Sequence, residues 1–443
     1  MNLFIPTMEG PELFLLFKRF PSICTDTRKI KEGDLFFALK GDRFDGNKYA
    51  EQALEKGAAR AIIDDPQYAK EGDDRFVCVE NALKALQELA NTYRKSLRIP
   101  VLGITGSNGK TTTKELINAV LSTEKKVFAT QGNLNNHIGV PLSLLSIPAE
   151  AEIAIIEMGT NQPGDIQELV EIAMPDLGLI TNIGSAHLER LGSVEGIREE
   201  KGALFRKVMK QGGLIFLNKG DDHLNQLVGD YQNIRSYGSP NADYQFEIER
   251  NEASGMDMLV HAKAWEQSQS FQLQLSGSYN ALNALAAIAV GEYFALSRES
   301  IAHGLSSYVS SNNRSQILQR ENYQIYLDAY NANPSSMKAS IENMFEISKG
   351  KLSLILGDMF ELGEKEEAMH AELGSMINTH VPYRCIGVGR LMKAAIEQID
   401  QDAHWFETVE EAQQKVESLI EGSDLVMIKG SRGMALERLL DKI

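Results

Sequence analysis

An apolar run that breaks into a glycine-flanked polar turn and resumes as a helix leaves this chain few structural solutions. Residues 101–115 read VLGITGSNGKTTTKE. Val101 to Ile104 predict a buried strand, and Thr111 onward predicts a helix. The turn between and into them is Gly106, Ser107, Asn108, Gly109, Lys110, Thr111 and Thr112. Its two glycines let the backbone curl so that successive N–H groups point into one concavity, where the helix N-terminus adds its positive end. Lys110 supplies a mobile positive charge for outer phosphates, and the hydroxyl of Thr111 can hold a magnesium ion. Ile104 stands where GxxxxGK[ST] would have its first glycine, so the pattern is the shorter GxxGKTT form. The stretch predicts a loop for the phosphates of ATP or a close relative; the competing reading is an ordinary glycine-rich strand–helix turn.

Length and charge bound the rest. At 443 residues the chain suggests about three domains. Its net charge of −16, from 45 basic and 61 acidic side chains, argues against broad nucleic-acid binding. A phosphorylated ligand must therefore be met by local basic residues, helix N-termini and metal ions. Cys24, Cys78 and Cys385 are far apart and show no metal spacing, which predicts reduced, buried thiols in a cytoplasmic protein. The opening MNLFIPTMEGPELF lacks a basic region followed by a long apolar segment, so no signal peptide is expected. The most apolar helix, residues 281–296, is too short to span a bilayer and carries Glu292, so no membrane contact is expected.

Along the chain, three α/β units are expected, with boundaries at 1–83, 84–312 and 313–443. The first has strands at 35–39, 59–63 and 76–79 and a helix at 48–56. Its polar clusters Thr25-Asp26-Thr27-Arg28 and Lys40-Gly41-Asp42-Arg43-Phe44-Asp45-Gly46 read as turns, or as contacts to a ribose, base and diphosphate. In the second unit apolar runs at 101–104, 127–130, 151–157, 177–181 and 214–217 alternate with amphipathic stretches, predicting a mostly parallel sheet. Ligands gather at the carboxyl ends of such strands. Three polar groups fall there: Asn135-Asn136, Glu157 and His187. Glu157 resembles the acidic residue that anchors magnesium beside a phosphate loop, or it is a helix cap. His187 is a structural histidine or a metal or phosphate contact. Lys201, on the helix predicted over 194–207 among Glu195, Glu199 and Glu200, reads as a surface residue in i,i+4 pairs.

From 243 to 275 an alternating pattern predicts a small antiparallel excursion, packed as a lobe beside the sheet. Asn280 then caps a helix or reads the edge of a base. In the third unit, strands at 325–327, 352–356, 385–388 and 425–428 predict an open α/β sheet. Arg314 lies in its polar leader, Asp328 to Asn333 follow its first strand, and Lys429-Gly430-Ser431-Arg432-Gly433 precedes an expected C-terminal helix. That last turn is a second anion site or a simple cap.

The segments GITGSNGKTTTKE, NLNNHIGVP, IIEMG, TNIGSAHLERLGS, GSYNALNALAA, DAYNANPSSM and LGDMFELGE together resemble the Mur ligase family, the ATP-dependent amino-acid ligases of peptidoglycan synthesis. The resemblance runs from Thr25 to the C-terminus. It implies an α/β fold of three domains: a small one for the UDP end of the precursor, a central one for ATP, and a Rossmann-like one that closes over both. Gly106 to Thr112 would hold the ATP phosphates, and Thr111 and Glu157 one magnesium ion. His187 and Lys201 would serve a second, with Lys201 carbamylated as is common in the family. Asn280, Arg314 and Asp328 would contact adenine, phosphates and ribose, with Lys110, His187, Lys201 and Arg314 acting in catalysis. Thr27, Arg28, Asp42, Arg43 and Phe44 would hold the UDP moiety; Asn135, Asn136, Tyr330, Asn331 and Asn333 complete the substrate set. Asn47 stands where such proteins often carry a histidine. DAYNANP and GDMFELG imply the member whose substrates are UDP-N-acetylmuramoyl-tripeptide and D-alanyl-D-alanine; separately, a monomer is expected. The rivals are the ligase that adds the preceding amino acid, disfavoured by the absence of a DNPR-like motif, and an inactive nucleotide-binding regulator.

Overall fold

The computed structural model describes residues 8, 10–41, 43–185, 188–311, 313–380 and 382–443. They fall into two compact units. The first comprises Met1–Ile104, Lys126–Thr160 and Gly164–Gly178, the second Thr105–Lys125, Asn161–Pro163 and Leu179–Ile443.

The first unit carries a four-stranded parallel sheet in the spatial order Ile23–Cys24, Leu35–Phe37, Arg60–Ile63, Phe76–Cys78. Leu35–Phe37 is buried at every residue, as a strand covered on both faces must be. Phe36, Ala53, Leu54, Ala61, Ile63 and Phe76 join in one core. Three more strands pair in parallel, in the order Val127–Ala129, Ile153–Glu157, Val101–Thr105. The helix Ala82–Ser96 starts on Asn81, whose Oδ1 accepts from Lys84 N at 2.8 Å. Arg94, in its last turn, pairs with Asp176 at 2.6 Å.

In the second unit the strands Leu177–Ile180, Leu214–Asn218, Ile234–Tyr237, Tyr244–Glu252, Gly255–Ala262 and Gln269–Leu273 lie in that order. The last three form the expected antiparallel excursion. It is not a separate lobe: Tyr244 pairs in parallel with Tyr237, so the excursion extends the sheet. Helix α1 (Lys110–Leu121) packs on α3 (Ser278–Tyr293), with α2 (Val194–Lys210) between them in sequence. Small and apolar residues bury α3 along nearly its whole length. Gly291 is required where the two helices meet, since a Cβ there would lie 2.9 Å from Val120 Cγ1.

A six-stranded sheet follows, in the order Gln316–Gln319, Gln324–Asp328, Leu425–Lys429, Leu352–Gly357, Arg384–Val388, Ala403–Phe406. Only the first pair is antiparallel. Alternate residues feed the two faces: Leu354 and Met427 pack with Met337 and Ile341 of α4 (Pro334–Ile347), while Ile325, Ile355 and Ile428 pack on the other side. The expected C-terminal helix is two 3₁₀ turns, Arg432–Met434 and Leu436–Lys442. Ala435 between them has φ 50°, which breaks the i→i−4 ladder. No helix among the described residues is long and apolar enough to cross a membrane.

Candidate nucleotide and substrate site

In the second unit the phosphate loop has the conformation that its glycines demand. Gly106 has φ 151° and Gly109 φ 77°, the latter standing at the N-cap of α1. Ser107 Oγ donates to Gly184 O at 3.0 Å and accepts from Gly184 N at 2.8 Å. Asn108 N donates to Asn182 Oδ1 at 3.0 Å, and its carbonyl accepts from Thr181 Oγ1 at 2.6 Å. The loop is thus pinned to the residues that follow strand Leu177–Ile180. Lys110 Nζ folds back onto Gly106 O at 2.7 Å, where a polar oxygen meets its charge. Thr111 and Thr112 are buried in the first turn of α1. Gly106→Ala would put a Cβ 1.9 Å from Thr181 Oγ1 at a φ that side chains avoid. We expect this change to cost roughly 1–3 kcal/mol of stability and to abolish nucleotide binding, read by thermal melts with and without ADP.

Lys201 overturns its sequence reading. It is fully buried in α2, and its Nζ has no hydrogen-bond partner among the described residues. Burial pushes its pKa well below the ordinary lysine value, and the charge of Lys110 pushes the same way. The ion pairs that the acidic neighbours suggested involve arginines instead: Glu199 meets Arg198 and Arg206. The signal was readable in the spacing. Ile197, Lys201, Leu204 and Val208 share one helix face, all buried.

Asn280 is not the cap of α3; Gly277 holds that place. Asn280 is buried, donates to Ser276 O at 2.8 Å and accepts from Asn283 Nδ2 at 3.2 Å. Asn283 in turn accepts from Thr113 Oγ1 at 3.0 Å, linking α3 to α1 just behind the phosphate loop.

The third group sits at the carboxyl ends of the six-stranded sheet, where Asp328 and Lys429 are register partners. Asp328 accepts from Lys429 Nζ and, through Oδ1, from Ser315 N at 3.2 Å. Lys429 is buried and committed to this pair, and no α-helix follows its turn, so the second anion site expected there loses both its ammonium and its helix N-terminus. Two guanidinium groups approach the Tyr330 ring, Arg314 at 3.7 Å and Arg432 at 5.6 Å from its centre. Asn331 is exposed. Asn333 caps α4 in a capping box with Ser336, and its Nδ2 donates to Asn108 Oδ1 at 2.8 Å. The phosphate loop and the DAYNANPSS stretch therefore meet directly.

In the first unit, Glu157 ends its strand buried. Its Oε1 accepts from Asn135 Nδ2 at 2.8 Å, and its backbone N–H donates to Thr130 Oγ1 at 3.0 Å. Asn136 accepts from Ile138 N and Gly139 N at 3.1 and 2.8 Å, in the turn ahead of the helix Gly139–Leu145. Arg28 closes a fork on Asp26, with bonds of 2.8 and 2.9 Å, and holds that carboxyl well below the usual range. Thr27 offers its carbonyl to Lys56 Nζ at 3.0 Å. Arg43 is exposed at the turn of a short hairpin, Lys40–Gly41 with Phe44–Asp45. Phe44 is exposed yet stacked on Tyr49, ring centres 5.4 Å apart. Asn47 is buried between Asp45 and Asp64, donating to both at 2.8 Å. Asp42 and His187 lie outside the described residues.

Residues that the motifs did not single out complete these arrangements: Asn182, Asn283, Tyr49 and Ser335. Asn182 and Ser335 each lie inside a stretch that had drawn notice for its neighbours, TNIGSAH and DAYNANPSSM.

Three family models match the chain: "Mur ligase family, catalytic domain" over residues 20–101, "Mur ligase middle domain" over 104–291 and "Mur ligase, glutamate ligase domain" over 313–432. The UDP-N-acetylmuramoyl-tripeptide–D-alanyl-D-alanine ligase of Bacillus subtilis is 39% identical over 427 residues, 94% of this chain and 92% of that protein. Among solved structures, MurF from Acinetobacter baumannii superposes with a TM-score of 0.87 at 30% identity, covering 95% of this chain and 92% of that one. The MurF ligase of Thermotoga maritima in complex with ADP gives 0.85 at 29%, covering 95% and 96%.

Proposed function

Because the chain belongs to the Mur ligase family, we propose that it joins D-alanyl-D-alanine to UDP-N-acetylmuramoyl-tripeptide at the expense of ATP. This is a step of peptidoglycan precursor synthesis and suits the cytoplasm. The observation that carries the reading is the meeting of Asn108 with Asn333 and Ser335. It joins the nucleotide loop shared across the family to the DAYNANP stretch, the mark of the D-alanyl-D-alanine-adding member. The three-domain division at 1–83, 84–312 and 313–443 belongs to the same reading.

The tripeptide's terminal carboxylate attacks the γ-phosphate of ATP, the bond to the β-bridging oxygen breaks, and ADP leaves. The amine of D-alanyl-D-alanine then attacks the acyl carbon; phosphate leaves and the amine's extra proton passes to water. A carboxylate is a poor electrophile, so the phosphorylation makes amide formation possible in water. The loop N–H groups and Lys110 bind and orient the phosphates, and Arg314 adds positive charge. Asn280 and Asp328 serve the adenosine; Thr27, Arg28, Arg43 and Phe44, with Asp42, serve the UDP end.

Magnesium prefers hard oxygen donors. In the second unit Thr111 offers such an ion a buried hydroxyl; in the first, Glu157 carries a buried carboxylate that accepts from Asn135. When bound, magnesium neutralises charge on the phosphates. A second ion calls for an anionic ligand at Lys201, together with His187. Burial disfavours the charged form of the Lys201 amine, and an uncharged amine can condense with carbon dioxide to a carbamate and a proton, which puts a carboxylate where a cation would stand.

The test is phosphate release from the protein with magnesium and ATP across two substrate pairs. We expect turnover with UDP-linked tripeptide plus D-alanyl-D-alanine only. Turnover only with UDP-linked dipeptide plus free diaminopimelate or lysine would assign the preceding step instead.

A further inference from the structure

Three stretches far apart in the sequence close on one serine. Asn108 Nδ2 donates to Ser335 Oγ at 2.9 Å, and Ser335 Oγ donates to Asn333 Oδ1 at 2.9 Å. Asn333 Nδ2 completes the circuit to Asn108 Oδ1 at 2.8 Å. Every donor in this ring points the same way round, an arrangement in which each bond polarises the next. The turn after Asn182 also reaches the serine: a Cβ on Gly184 would lie 3.1 Å from Ser335 Oγ and 3.7 Å from Asn108 Nδ2. Asn108 itself is held by its backbone to Thr181 and Asn182. Its side chain is therefore free to serve as the loop's arm toward the start of α4.

The ring is separable from the architecture of α4. The helix is capped by Asn333 and Ser336, with Asn333 Oδ1 accepting from Ser336 N at 2.9 Å and Asn333 N donating to Ser336 Oγ at 3.0 Å. Ser335 takes no part in that box. Its hydroxyl is half-buried, and its hydrogen-bond partners are Asn108 and Asn333.

We propose that Ser335 is a positioning residue that couples the phosphate loop to the Asp328–Asn333 stretch. With the ring closed, the loop cannot shift around a bound nucleotide without moving that stretch. Its closure keeps water from the acyl phosphate until the amine arrives. The proposal rests on the ligase reading above. It assigns the serine no contact with the reacting atoms: the residue acts through Asn108 and Asn333.

Two variants separate clasp from cap. Ser335→Ala opens the ring, leaving only the Asn333–Asn108 bond across it, and keeps the capping box. Asn333→Ser keeps a capping hydroxyl but is too short to reach Asn108. In one reaction with ATP, magnesium, UDP-linked tripeptide and D-alanyl-D-alanine, phosphate and amide product are both counted. The wild type should give one phosphate per amide bond. Both variants should form amide about tenfold more slowly, the size expected for one or two lost hydrogen bonds, and should release phosphate in excess of amide. A slower Ser335→Ala that keeps one phosphate per amide has merely lost structure, and overturns the proposal; so does an unchanged rate.

A second readout needs no acceptor substrate. Adding ADP with magnesium should slow amide exchange in the first turn of α4 about tenfold in the wild type and several-fold less in Ser335→Ala, where only the Asn333–Asn108 bond remains. Equal protection in both proteins overturns the clasp. Absence of amide product from the wild type, with the exchange difference present, overturns the ligase reading and leaves the clasp standing.

Discussion

Lys110→Ala should lower turnover about a thousandfold, the scale of losing one preorganised charge at a transferring group, with the fold intact. Lys110 opens α1, is half-buried, and rests its ammonium on the carbonyl of Gly106, within its own loop. Removing the side chain empties no core cavity, and alanine is at least as good a helix former. Charge-neutral contacts from the loop N–H groups remain, so ADP should still bind, more weakly. Steady-state phosphate release and a thermal melt of the same preparation check both halves. A variant with near-normal turnover would sink the phosphate assignment of Gly106–Thr112.

Lys201→Met should give a protein more stable than the parent and at least about a hundredfold slower, the range seen when the support of a metal site is lost. The sign of the stability change follows from proton linkage. The folded-state pKa of Lys201 is depressed by burial and by Lys110, whereas an unfolded lysine titrates near about 10.4. Between those values the unfolded chain binds the extra proton, so parental stability rises with pH across that window. Below the folded-state pKa the full cost of the buried amine is present; above about 10.4 it is gone. Methionine fills a similar volume without a titrating group. Its advantage should be largest near neutral pH and shrink toward alkaline pH. Denaturant melts in carbon-dioxide-free buffer at several pH values measure this. An advantage that does not change with pH, or a loss of stability, would refute the neutral-amine account. A buried amine that weakens the fold is the pattern expected of a functional residue.

What a reading of the chain could reach depended on how local the cause was. The strand–loop–helix at Val101–Leu121 was legible because each requirement is satisfied within a few residues: a buried apolar run, glycines able to take φ 151° and 77°, and a helix to follow. Most of the anticipated parallel strands were found within a residue or two for the same reason. Continuous burial on two faces needs an unbroken apolar run, as in Ile153–Glu157 and Leu352–Gly357. Weakly marked strands such as Ile234–Tyr237 and Ala403–Phe406 were passed over, because only partial burial shapes them.

The side chains with chemical character needed the assembled fold. Lys201 sits among acidic neighbours that suggested a wet surface, but the rotation of α2 turns it inward with Ile197 and Leu204. Lys429 reads as a free cation until Asp328, register partner from another strand, neutralises it. Asn280 could have been a cap; Gly277, with φ 95°, starts the helix one turn earlier. Ser335 has no local signature at all, since its role depends on Asn108, 227 positions away. By itself the sequence determined the backbone loop that a nucleotide requires and the positions of the strands that flank it, because propensity, periodicity and glycine conformation act over a few residues. The tertiary structure alone decided which charges are buried, which are paired and which amides close the clasp, because those depend on distances between stretches that only folding brings together.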